Sequence, residues 1–252
     1  LEKNKEYVDS LNVFPVPDGD TGTNMSLTRR SAIKEINLVT NNDLDALASA
    51  LSKGALKGAR GNSGVILSQI LKGFSSILRE EKSITSKAFA KALKEGATIA
   101  YGAVTKPKEG TILTVIRMMA DESLSLAKKY SEINEFLEHT IAFGEEVLKQ
   151  TPEMLPVLKK AGVVDAGGQG LLTILEGFYS AITGTEIKMI KADAVRPESL
   201  AGGLEASEED ILVNDYDNIT FQYCTEFFIT HLNSTTTESQ IDKFRDYLMT
   251  IG

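Results

Sequence analysis

The sequence predicts an all-α domain of about eight helices, followed by the start of a smaller α+β domain. From Asn42 to Gly184 apolar residues recur at three-and-four spacing, and no alternating strand pattern interrupts them. β-branched and aromatic residues gather only after residue 218. Val8 to Asn12 and Met25 to Ile36 read as short helical pieces. Leu44, Leu47, Ala48, Leu51 and Ala55 then form one apolar face, and Val65, Ile66, Ile70, Phe74, Ile77 and Leu78 form a wider one. Further helices are expected over Ser86 to Val104, Thr111 to Tyr130, Ile133 to Lys149 and Leu171 to Ile182, each with a polar or glycine-rich entry. After Gly184 the chain turns polar, with Arg196-Pro197, Gly202-Gly203 and the acidic run Glu205 to Asp210. Ile219 to Ile229 then suggests a strand, and Ile241 to Met249 a helix. The expected organisation is a helical domain over residues 1–190, a linker over 191–217, and the beginning of a second domain over 218–252.

Composition limits the functions open to such a chain. Its 252 residues are 42% hydrophobic and 25% charged, enough for a substantial core. A formal net charge of -8 leaves no basic face to release counterions from nucleic acid, so direct nucleic-acid binding is not expected. The single cysteine, Cys224, excludes an internal disulfide framework, and no apolar run reaches the roughly 18 to 20 residues of a membrane span. A cytoplasmic protein is expected. The start at Leu1, without methionine, and the strand and helix at the other end are what a fragment of a longer chain would show.

The chemistry concentrates in one stretch, PVPDGDTGTNM at Pro15 to Met25. Prolines stiffen it, glycines open it, and Asp18 and Asp20 stand two residues apart. As a surface turn it would be unremarked, since Pro-Asp and Asp-Gly pairs are common turn formers. Clustered carboxylates also suit a hard cation such as Mg²⁺. An EF-hand is excluded, because counting from Asp18 its sixth position is Thr23 and its twelfth Arg29. A Walker phosphate loop is excluded because no Gly-Lys-Ser/Thr follows at its spacing. His139 and His231 have no recognisable catalytic partners.

Three glycine-rich junctions precede helices: Gly58-Ala59-Arg60-Gly61-Asn62-Ser63-Gly64, Lys108-Glu109-Gly110-Thr111 and Asp165-Ala166-Gly167-Gly168-Gln169-Gly170. Each can be a turn with a cap. Exposed N–H groups at a helix start also make an anion site, and together with an acidic loop they suggest a Mg-nucleotide site. Ser63→Ala and Gly64→Val are expected to weaken phosphate binding with little effect on stability. Arg60 either adds charge for the transition state or is a solvated side chain.

Four ordered motifs carry a resemblance: LNVFPVPDGDTGTNM at Leu11 to Met25, GARGNSGVILSQ at Gly58 to Gln69, KPKEGTILT at Lys106 to Thr114 and VVDAGGQGLL at Val163 to Leu172. They resemble the nucleotide domain of the dihydroxyacetone kinase L subunit and, more closely, the ATP-binding subunit of bacterial fatty acid kinase. YCTEF at Tyr223 to Phe227 resembles the start of that subunit's middle domain. The resemblance implies a helical barrel holding ATP with two Mg²⁺. It also implies a separate fatty-acid-binding carrier protein whose ligand is phosphorylated to an acyl phosphate, and it leaves open a homodimer of the longer protein. It assigns Asp18 and Asp20 as metal-binding and catalytic carboxylates, with Asn12 the candidate third oxygen ligand or else a structural cap. Thr21, Thr23 and Asn24 would line the phosphates, as would Asn62, Ser63 and Gly64, while Thr111, Asp165 and Gly167 would lie around the nucleoside. Cys224, which could be only a small buried hydrophobe, would be a Zn²⁺ ligand completed by histidines beyond Gly252. A non-catalytic Mg-nucleotide sensor and a dihydroxyacetone-type kinase subunit are the alternatives.

Overall fold

The computed structural model describes residues 1–40, 43–187, 189–190 and 232–251. The chain divides into two compact units, Leu1–Ala201 and Gly202–Gly252. Among the described residues every regular element is helical, and no helix is long and apolar enough to cross a membrane.

A 3-10 turn, Glu2–Asn4, leads into α1 (Lys5–Ser10), followed by α2 (Thr21–Ile36), α3 (Leu44–Lys57), α4 (Gly61–Leu78), α5 (Ser86–Ala103), α6 (Ile112–Lys129), α7 (Ile133–Met154), α8 (Pro156–Ala161) and α9 (Ala166–Thr183). Consecutive helices from α2 to α7 pack side by side, and α9 closes the ring against α1, α2, α6 and α7. Large side chains of α4, α5, α6 and α7 point inward, with Leu67, Leu93, Ile116, Met119, Phe136 and Leu137 at most 2% exposed; on the expected α4 face Ile70, Phe74 and Leu78 are buried, whereas Val65 is 41% exposed. Burying side chains of this size stabilises by roughly 1.5–3 kcal/mol each.

Phe74, Phe89 and Phe136 form a chain of edge-to-face contacts, with centroids 4.9 and 6.0 Å apart, and Phe89 also meets Phe178 at 6.2 Å. Phe74 and Phe178 lie late in α4 and α9, whereas Phe89 and Phe136 lie early in α5 and α7. Neighbouring helices therefore run in opposite directions. At 1.5 Å per residue, Phe74 stands roughly 20 Å along α4 from its first residue.

Several helices differ from the sequence expectation at their ends. The α2 helix begins at Thr21, four residues before Met25, so half of the acidic stretch is helical. The α7 helix runs on to Met154, carrying Pro152 inside it. The short α8 was not foreseen; it opens on Pro156 and stops at Gly162 in the left-handed conformation, φ 66°. The α9 helix starts at Ala166, so the glycine run is its first turn and not a loop before it. Low glycine propensity is overridden there by packing: a Cβ on Gly170 would stand 2.6 Å from Met25 Sδ.

In the second unit the described residues form α10 (Glu238–Ile251), longer at both ends than expected. Thr237 donates its amide to Gln240 Oε1 at 2.9 Å at the helix start. The linker 191–217, the strand at Ile219 to Ile229, Cys224 and His231 lie outside the described residues.

Candidate functional site

The beginnings of α2, α4, α6 and α9 converge on a cavity of about 510 Å³, joined there by the end of α5. That volume lies within the range of small-molecule sites. Four helix N-termini meeting in one place put positive dipole ends around a single space, which favours an anion.

The acidic loop connecting α1 to α2 forms one wall, and Asn12 organises it. Its amide nitrogen donates to the Val16 carbonyl at 2.6 Å and to Asp18 Oδ1 at 3.2 Å, and its oxygen accepts from the Thr21 hydroxyl. Both ends of the buried amide are thus engaged in shaping the loop. Asp18 is exposed at the mouth and Asp20 is half-buried. Desolvation pushes the Asp20 carboxyl above its ordinary value; the Asn24 amide opposes this, while the negative charges of Asp18 and Asp9 add to it. Like charges this close are costly until a cation arrives.

Asp9 of α1 holds the start of α2 from the side. Thr23 donates to it twice, from its amide at 2.9 Å and its hydroxyl at 2.7 Å. Thr23 consequently turns into the α1–α2 contact and does not line the cavity.

At the α4 start, Gly61, Asn62 and Ser63 line the cavity. Gly61 has φ 58°, and a Cβ there would collide with the Asn24 amide, so this position requires glycine twice over. Gly64 is not in the lining. It is buried where α4 crosses α2, a Cβ would strike the Thr28 hydroxyl, and its amide donates to the Arg60 carbonyl at 3.0 Å, so the structure places it in packing and outside the lining. Arg60 is exposed and outside the lining, as its reading as a solvated side chain allows.

The floor comes from α6 and α9. Thr111, the N-cap of α6, donates its hydroxyl to the Lys108 carbonyl at 2.8 Å. Asp165 caps α9 by accepting the Gly168 amide at 2.7 Å, and the Ile112 and Gly167 amides also favour its ionised form. Burial outweighs all three and pushes its carboxyl up to about 6. Gly167 completes this wall.

The cavity therefore brings together Asn12, Asp18, Asp20, Thr21, Asn24, Asn62, Ser63, Thr111, Asp165 and Gly167 from four separate segments. Lys106 and Lys108 from the α5–α6 loop also line it, and sequence reasoning did not single them out. Their signal was their place inside the KPKEGTILT motif and, for Lys108, at the head of the Lys108-Glu109-Gly110-Thr111 junction. Just beyond them Glu109 ties the loop down. Burial works to raise its carboxyl, but hydrogen bonds from Thr114, Arg117 and Tyr101 hold it below its ordinary value.

Among the described residues no three His, Cys, Asp or Glu side chains form a ready-made metal cage. Two neighbouring carboxylates nonetheless fit Mg²⁺, which commonly takes one or two protein carboxylates and completes its shell with water and substrate phosphates.

Residues 15–180 match the DAK2 domain family, whose members are kinase-associated. The chain is 43% identical over its whole length to protein YloV of Bacillus subtilis (strain 168), covering 45% of that protein. It is 41% identical to an uncharacterized protein of Staphylococcus haemolyticus, covering 46% of it. With an uncharacterized protein of Staphylococcus aureus (strain USA300) it shares 43% identity over 91% of this chain and 41% of that one. The chain spans about half the length of the curated relatives it matches. The matched span runs from the acidic loop through the last helix of the ring and includes nearly every residue that lines the cavity, so the chain belongs to the DAK2 domain family.

Proposed function

We propose that this chain is the ATP-binding part of a cytoplasmic phosphotransferase that acts on a fatty acid presented by a separate carrier protein, giving an acyl phosphate. One observation carries the reading: a two-carboxylate loop and four helix N-termini face one cavity of about 510 Å³. Asp18 and Asp20 would hold Mg²⁺, with Asn12 setting the loop's shape around them. The cations would supply charge neutralisation at the β- and γ-phosphates. The first-turn amides of α2 and α4, with Ser63 and Asn24, would hold non-bridging oxygens, and Thr111, Asp165 and Gly167 would bound the nucleoside end.

A carboxylate acceptor suits the polar groups that line the cavity among the described residues, which are carboxylates, amides, hydroxyls and lysines. A carboxylate is already ionised near pH 7 and needs no general base to attack phosphorus, whereas a hydroxyl acceptor of the dihydroxyacetone type does. A space of this size taken by a nucleotide leaves little room for an acyl chain, so the lipid would arrive on its carrier. In the longer protein, Cys224 is our candidate Zn²⁺ ligand.

The test is to incubate the chain, and the longer protein, with labelled ATP, Mg²⁺ and fatty acid, with and without a loaded carrier. Acyl phosphate is expected only with the carrier and the remaining C-terminal portion of the longer protein, and none from this chain with free fatty acid. Rapid formation by this chain without the carrier would place the acyl site in this chain, and nucleotide binding with no transfer under any condition would favour a sensor.

A further inference from the structure

We propose that Lys106 and Lys108 form a cationic grip on the terminal phosphoryl group, so that the site distinguishes a triphosphate from a diphosphate. The inference rests on reading the cavity as a nucleotide site.

Both lysines line the cavity, on a segment separate from the acidic loop and the α4 start. Among the described residues, the ion pairs engage Lys53, Lys57, Lys94, Lys149 and Lys159, but neither Lys106 nor Lys108. Their positive charge is therefore available to a ligand. Their loop is also fixed at its base. Glu109 accepts from the Tyr101 hydroxyl at 3.2 Å, the Thr114 hydroxyl at 2.7 Å and Arg117 at 2.7 Å, and Gly110 donates its amide to Thr114 Oγ1 at 2.9 Å. With Thr111 closing onto the Lys108 carbonyl, the lysine-bearing turn is tied to the last turn of α5 and the first two turns of α6.

Depth decides which phosphate the lysines meet. Thr111 and Asp165 are buried at the floor, while Asp18, Lys106 and Lys108 are exposed at the mouth. An acceptor arriving from outside must reach the transferable group in line and in near contact, so the reacting end of the ligand belongs at the mouth. There the carboxylates of the acidic loop attract metal but repel phosphate oxygens and any anionic acceptor. Ammonium groups on the neighbouring loop offset that repulsion, and lysine suits the task as a compact point charge on a long reach. Glu109 acts as the positioning residue beneath them.

The test is calorimetry of the chain with MgADP and MgATP, using wild type, Lys106→Met with Lys108→Met, Lys106→Arg with Lys108→Arg, and Asp18→Ala with Asp20→Ala. The methionine variant is expected to lose on the order of ten- to a hundredfold in MgATP affinity, from lost charge-assisted contacts, while MgADP affinity changes by less than about threefold. The arginine variant should retain most of the preference for ATP, and all four proteins should melt as folded domains. An unchanged ratio of ATP to ADP affinity in the methionine variant, whether both fall together or neither falls, overturns the inference. If the aspartate variant meanwhile loses Mg-dependent binding, the nucleotide reading survives on its own. If wild type binds neither nucleotide, both fail.

Discussion

At one end of the helical ring Phe74, Phe89, Phe136 and Phe178 meet edge to face within 4.9 to 6.2 Å, while at the other the starts of α2, α4, α6 and α9 surround a cavity of about 510 Å³. Helices α4, α5 and α9 contribute to both ends. Helix residues are spent on apolar contact at one end, and amides, carboxylates and lysines gather at the other. The aromatic end gains stability from every group it buries. The cavity end holds groups that are costly to bury, including a half-buried Asp20 beside Asp18 and a buried Asp165 that also caps α9. Stability and binding should therefore separate by position along the same helices.

The largest effect should come from Phe136→Ala. Phe136 is 0% exposed, and its removal should cost about 3–5 kcal/mol of stability, read as a lower denaturant midpoint. Nucleotide affinity of the protein that remains folded should hardly change. The converse variant is Asp18→Ala with Asp20→Ala. Mg-dependent nucleotide binding should fall by about a hundredfold or more by calorimetry, while the apo protein melts no lower than wild type, because a like-charge contact has been relieved. Equal loss of stability in both variants would dissolve the distinction between the ends.

Asp165 sharpens the comparison through pH. Its carboxyl is raised to about 6 in the folded protein against about 3.9 in an unfolded chain. The native state thus binds the extra proton between those values, so this group's contribution is fullest below about pH 4 and is lost as pH rises through 6. The difference is on the order of 3 kcal/mol. Asp165→Asn should flatten the fall in stability between about pH 4 and 6, measured as the denaturant midpoint across that range. A wild-type slope in the variant would show that the titrating group is elsewhere.

A smaller contrast lies within one turn of α4. Gly64→Val should destabilise by about 1–3 kcal/mol through overpacking against Thr28. Ser63→Ala should leave the melting temperature alone and weaken nucleotide binding by about fivefold, the worth of one hydrogen bond. Unfolding curves and titrations of the pair separate the packing face from the cavity face.

The helices over 44–182 were legible because burial of one face imposes a 3.6-residue period whatever the partner helix. Their glycine-rich starts were not, since local propensity argues against a helix at Gly167 and Gly168 and only contact with neighbouring helices reverses it. The acidic loop and Asn62-Ser63 were legible for a different reason, as each is a local concentration of ligand chemistry. Lys106, Lys108 and Asp9 reach their neighbours through the path of the chain, which no spacing reveals. Asn12 and Thr23 were placed by the resemblance, but which way each side chain turns depends on the donors and acceptors that surround it in space.

The double hydrogen bond from Thr23 to Asp9 makes α1 and the first turn of α2 a single opening unit. No residue of α1 lines the cavity, yet local unfolding of α1 must release the helix start beside the acidic loop. By linkage, a ligand that binds only the closed loop raises the free energy of that opening by RT ln(1 + L/Kd), where L is the free ligand concentration. Amide protons of Val8 to Ser10 should then exchange more slowly with deuterium when Mg-nucleotide is present, reporting occupancy from a helix the ligand never touches.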